Sequence, residues 1–75
     1  MSKPDLAALR EHAITVLAEA GVPSPEADAD LLIGHVLGMS RGQVQAKALI
    51  GAPVDAEQVM TITEYIERRA TREPV

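Results

Sequence analysis

Ser24-Pro25-Glu26-Ala27-Asp28-Ala29-Asp30-Leu31-Leu32-Ile33-Gly34-His35-Val36-Leu37-Gly38-Met39-Ser40-Arg41 spells out one helix with both ends marked and the start of another. Ser24 stands where an N-cap is needed. Pro25 takes the first helical position, where a missing N–H costs nothing. Glu26, Asp28 and Asp30 bring negative charge to the first turns, which suits the positive end of the helix dipole and keeps the surface soluble. Leu31, Leu32, His35 and Val36 follow at helical spacing. Gly38 can adopt the left-handed conformation that ends a helix. Ser40 then opens the next helix, with Gln43 three residues on to complete a capping box.

Upstream, Leu6, Leu9, Ala13, Val16, Leu17 and Ala20 recur at steps of three and four. That stripe predicts a helix from about Asp5 to Ala20, in one piece or broken into two, stopped by Gly21. Downstream, a short helix is expected from Arg41 to about Leu49, with Val44, Ala48 and Leu49 on its inner side. Gly51-Ala52-Pro53 breaks the pattern. Asp55 then marks a last helix, with Gln58 as its reciprocal partner. Val59, Ile62, Ile66 and Ala70 form the buried side of that helix, and Glu64 with Arg68 makes an i,i+4 pair. Glu73-Pro74 ends it, because the residue before a proline is pushed out of the helical region. The fold class is therefore all-α, a small bundle of four to five short helices joined by short connections.

Composition narrows the function classes. A chain of 75 residues makes one domain and buries only about 60% of the surface its unfolded form exposes. It has no cysteine, so no disulfide supports it, and Tyr65 is its only aromatic residue. Leu, Ile, Val, Ala and Met must build the core. β-Branched and aromatic residues are too few for a sheet. The formal charge is −4. Acids dominate the first thirty residues, whereas Arg68, Arg69 and Arg72 gather near the end. An acidic chain without a basic stripe is a poor ligand for nucleic acid, whose phosphates supply most of that affinity. No apolar run is long enough to span a bilayer. Met1-Ser2-Lys3-Pro4-Asp5 leads into an amphipathic pattern rather than a signal peptide. A monomeric cytoplasmic protein is expected.

The residues offer little chemistry of their own. His12 and His35 are the only histidines, and the acids at 26, 28 and 30 lack the spacing and glycine turn of a calcium loop. His35 is expected at the edge of the core, with its ring packed. No nucleophile or carboxylate stands at a helical step that pairs with it. The glycines are scattered and form no phosphate-cradling loop. Gly34, inside a helix, points to close approach of a second helix. No catalytic, cofactor-binding or metal-binding residue is therefore assigned. Arg41, Arg69, Arg72 and Glu73 remain as candidates for contact with a partner or a neighbouring domain. Arg69 and Arg72 lie three apart and project from nearly the same side, whereas Arg68 already has Glu64. Two classes compete: a docking module of a larger enzyme, and a carrier domain of the acyl or peptidyl type. A carrier needs a serine in an Asp-Ser-Leu setting, and neither Pro23-Ser24-Pro25 nor Met39-Ser40-Arg41 provides it. The carrier reading ranks second.

A further set of marks runs the length of the chain: Leu17-Ala18-Glu19-Ala20-Gly21-Val22, Ser24-Pro25, Asp28-Ala29, Leu31-Leu32, His35-Val36-Leu37-Gly38, Ser40-Arg41, Arg68-Arg69 and Arg72-Glu73-Pro74-Val75. In this order the chain resembles the N-terminal domain of the PrmC/HemK family, the protein-(glutamine-N5) methyltransferases of peptide chain release factors. The resemblance implies a parent enzyme that uses S-adenosylmethionine to methylate the glutamine of a Gly-Gly-Gln motif. Its Asn-Pro-Pro-Tyr motif and cofactor loop are absent from this chain, so no catalytic residue carries over. What carries over is a small helical bundle that helps recognise and orient the release factor, followed by a C-terminal methyltransferase domain. The family often has an aromatic residue soon after the Ser-Arg step, where this chain has Val44.

Overall fold

The computed structural model describes residues 5–71. Four helices follow one another: α1 (Leu6–Glu19), α2 (Pro25–Leu37), α3 (Arg41–Leu49) and α4 (Ala56–Thr71). α1 is unbroken. Its first turn is capped by Asp5, whose side chain accepts from the Ala8 N–H at 2.8 Å. The Leu6 N–H donates to the Ala52 carbonyl at 2.8 Å, and Asp5 pairs with Pro53. The connection between α3 and α4 is thus held against the start of α1.

The helix signals in the sequence differ in how they are realised. Ser40 and Gln43 form the full capping box: the Gln43 N–H donates to the Ser40 hydroxyl at 3.2 Å, and the Ser40 N–H donates to the Gln43 side chain at 2.9 Å. Gly38 ends α2 with φ at 71°. Ser24 does not cap with its side chain. Flanked by Pro23 and Pro25, its backbone stands at ψ 73°, away from the extended geometry of Asp5 and Ser40, and only its carbonyl joins the helix. Asp55 likewise contributes its carbonyl, which accepts from the Val59 N–H at 2.9 Å; the expected exchange with Gln58 is not formed. Ser40→Ala should therefore lower stability by about 1 kcal/mol, read as a shift in the urea midpoint. An unchanged midpoint would mean that the box contributes nothing.

α1 and α2 pack together, and α3 and α4 each lie against both of them without touching one another. The core joins Leu6, Leu9, Ala13 and Leu17 of α1, Ala29 and Ile33 of α2, Val44 of α3, Val54 of the last connection, and Ile62 and Ile66 of α4. Because α2 meets three other helices, its most buried line runs through Ala29, Asp30, Ile33 and Gly34. This rotates the helix relative to the sequence expectation. Leu31 is 58% exposed and Leu32 only half-buried. Leu49 at the end of α3 is 88% exposed, and Ala20 lies outside the core.

Gly34 is required for a reason close to the expected one. A Cβ there would collide with the Met39 carbonyl oxygen in the turn that leads into α3, whereas Val44 of α3 would be at an ordinary 3.5 Å. The tight return of the chain, more than the helix beyond it, excludes a side chain.

Candidate functional site

The acidic turn of α2 is divided between two structural roles. Asp30 is fully buried. Arg10 of α1 donates to it twice, from Nε at 2.6 Å and from Nη2 at 3.2 Å. Gln45 of α3 donates from Nε2 at 3.0 Å, and the Arg41 guanidinium stands 4.0 Å away. One carboxylate thus ties three helices together. Burial opposes its ionisation. The bonds from Arg10 and Gln45, with the charges of Arg10 and Arg41, outweigh that and hold the Asp30 carboxyl below its ordinary value. The bond to Asp30 in turn raises the Arg10 guanidinium, with Glu26 adding to the field.

Asp28, two residues earlier and so on the other side of the helix, faces α4. Arg69 donates to its Oδ2 from Nη2 at 2.9 Å and from Nε at 3.1 Å. Arg68 points elsewhere and meets Glu64 at 3.5 Å, as the i,i+4 spacing predicts. His35, one turn beyond Leu31, is exposed, and its ring lies over Tyr65 of α4 with centroids 6.2 Å apart and planes tilted by 40°. It is a surface residue resting on the one aromatic ring, not a residue of the core edge. His12 is exposed as well.

Of the four contact candidates, the structure therefore places two. Arg41 is half-exposed and leans on Asp30. Arg69 is already engaged by Asp28, so it fastens the end of α4 to the beginning of α2. Arg72 and Glu73 lie outside the described residues.

Sequence reasoning missed Arg10, Gln45 and the burial of Asp30. A signal for Asp30 existed. It directly follows Ala29 and precedes Ile33 by three, on the arc that the small and β-branched residues mark as inward. Its partners, fifteen and twenty residues away, leave no local trace. Among the described residues no three His, Asp or Glu side chains are grouped to hold a metal ion, and no helix is long and apolar enough to cross a membrane.

Residues 8–75 match the family described as the PrmC N-terminal domain. A release factor glutamine methyltransferase of Deinococcus radiodurans is 40% identical over 67 residues, which are 89% of this chain and 23% of that protein. Proteins of the same name from Rhodospirillum rubrum and Caulobacter vibrioides are 46% and 37% identical over 59 residues, 79% of this chain and 18% and 20% of theirs. The chain spans about a fifth of the length of these relatives. No solved structure matches it.

Proposed function

From the premise that this chain belongs to the PrmC N-terminal domain family, we propose that it is the non-catalytic, substrate-recognising domain of a protein-(glutamine-N5) methyltransferase. The substrate is a peptide chain release factor, methylated on the glutamine of its Gly-Gly-Gln motif. The observation that carries this reading is the agreement of name and share: relatives named release factor glutamine methyltransferase devote about a fifth of their length to this domain. The rest of such a polypeptide, a C-terminal methyltransferase domain, supplies the chemistry.

S-Adenosylmethionine, the methyl donor of that chemistry, finds no fit among the described residues of this domain. Gly21, Gly38 and Gly51 follow the ends of helices, Gly34 is closed off by the Met39 carbonyl and Gly42 lies alone in the first turn of α3, so the glycines are not gathered into a loop that could cradle a nucleotide. The most buried carboxylate, Asp30, is committed to Arg10 and Gln45. No step of methyl transfer is therefore assigned to these residues. Calorimetric titration of the isolated chain with S-adenosylmethionine should give no binding heat, and saturable binding would overturn the division of labour.

The recognition role is tested by comparing two substrates. Deleting this domain from an intact methyltransferase should depress methylation of a whole release factor far more than methylation of a short Gly-Gly-Gln peptide. Equal losses on both would mean that the domain supports the catalytic part and recognises nothing.

A further inference from the structure

α2 and α4 share one outer strip with defined corners. Asp28, Leu31 and His35 lie at i, i+3 and i+7 on α2, and Tyr65 and Arg69 lie at i and i+4 on α4. The two lines are cross-linked at both ends, by the Arg69–Asp28 bonds at 2.9 and 3.1 Å and by the His35–Tyr65 ring contact. Leu31 stands on the α2 line between them, 58% exposed. The strip joins the only aromatic side chain of the protein, a planar guanidinium and an open leucine. Tyrosine and arginine on a preformed support are the side chains that most often dominate binding energy at interfaces.

We infer that this strip is the face on which the remainder of the polypeptide packs, the larger part that the relatives carry beyond this domain. The inference rests on the reading that the domain works within such a methyltransferase. Two observations select this occupant. First, the strip includes the last turn of α4, where Arg69 is one of its corners, and in a family whose matched part is the N-terminal domain the remaining polypeptide follows this helix. Second, the relatives are about five times as long as the segment matched, so a large body lies within reach of the end of α4 in them. The other open apolar residues are less well placed. Leu49 and Ile50 lie by the connection that leads into α4, about 24 Å of helix away from its end for a helix of 16 residues at 1.5 Å each. The polarity of the strip also suits an interface between domains of one chain, which is less apolar than a permanent subunit contact.

Hydroxyl-radical footprinting of side chains tests this directly. In the isolated chain the exposed Leu31 and His35 and the half-buried Tyr65 should all be oxidised. In the intact methyltransferase carrying this domain, without release factor, they should react several-fold more slowly, while Met60, 71% exposed on α4, keeps its rate. Leu31→Asp should restore the faster rates at His35 and Tyr65 in the intact protein. That side chain is exposed, so the isolated variant should melt like the parent. Equal rates in the isolated and intact forms would overturn the inference. Protection that appears only when release factor is added would also overturn it and assign the strip to that partner. If the strip is protected without the factor, and adding the factor changes nothing else on the bundle, the packing inference stands while the recognition role fails.

Discussion

Arg10→Met should cost the isolated domain about 3–5 kcal/mol at neutral pH, because it leaves the buried Asp30 carboxylate without its main partner. Gln45 would remain, and Arg41, 4.0 Å away, could draw closer, so the loss should fall toward the lower figure. Even that is a large share of the roughly 5–15 kcal/mol that holds a small domain together. The converse change is milder. Asp30→Asn leaves Arg10, whose side chain is 25% exposed, free to turn to water, while an amide can still bond Gln45. A loss of about 1–3 kcal/mol is expected for it. Arg10→Met combined with Asp30→Leu should recover most of the stability, since apolar replacement of a buried pair is often neutral or better.

The pH dependence separates these variants. In the parent, Asp30 is held below its ordinary value, so its contribution is complete above the unfolded carboxylate range. It is lost as pH falls through the lower folded value. In Arg10→Met the burial that opposes ionisation is no longer outweighed in the same way. The carboxyl then moves up, and the variant should gain stability on the parent as pH falls from neutrality toward about 4. Urea unfolding at several pH values measures this. Parallel curves for parent and variant, or a smaller loss for Arg10→Met than for Asp30→Asn, would remove the network as the tie between α1, α2 and α3.

What could be read in advance follows the range over which each feature is encoded. The limits of α2 and α3 are written within a few residues, by Pro25, Gly38, Ser40 and Gln43, and the helices run as those residues imply. Side-chain capping was less secure. Ser24 carries the right residue type, yet its backbone stands at ψ 73°, outside the extended capping geometry, and its side chain makes no cap bond. The choice of buried face failed where hydrophobicity and topology disagree. Leu31 is more apolar than Asp30, but α2 is enclosed on the side of Ala29 and Ile33, and the aspartate enters the core because Arg10 and Gln45 come to meet it. The functional reading came from residue order along the whole chain, not from any reactive group. Membership of the family removes the carrier alternative that composition alone had left open.

Arg69→Ala in an intact methyltransferase should lower methylation of a whole release factor by up to about a hundredfold, since misplacement by about 1 Å can cost that much without touching the chemistry. Methylation of a short Gly-Gly-Gln peptide, which needs no oriented docking surface, should change little. The sequence suggested that Arg69 and Arg72 reach outward to a following domain. In the structure Arg69 bonds Asp28, which fixes the last turn of α4 on α2 while leaving the guanidinium partly open to a neighbour. An exposed ion pair of this kind adds at most about 1 kcal/mol to stability, so the isolated variant should unfold almost where the parent does. On the function proposed above, its leverage is positional: it holds the last turn of α4, the turn nearest the part that carries out the chemistry, on α2. Asp28→Ala distinguishes the two roles. If Arg69 works through its bond to Asp28, Asp28→Ala should reproduce the selective loss on whole release factor, and exchanging the two charges should restore part of the rate. If Asp28→Ala leaves methylation unchanged while Arg69→Ala does not, Arg69 acts by reaching outward, as the sequence first suggested. Loss on both substrates alike would leave it no orienting role.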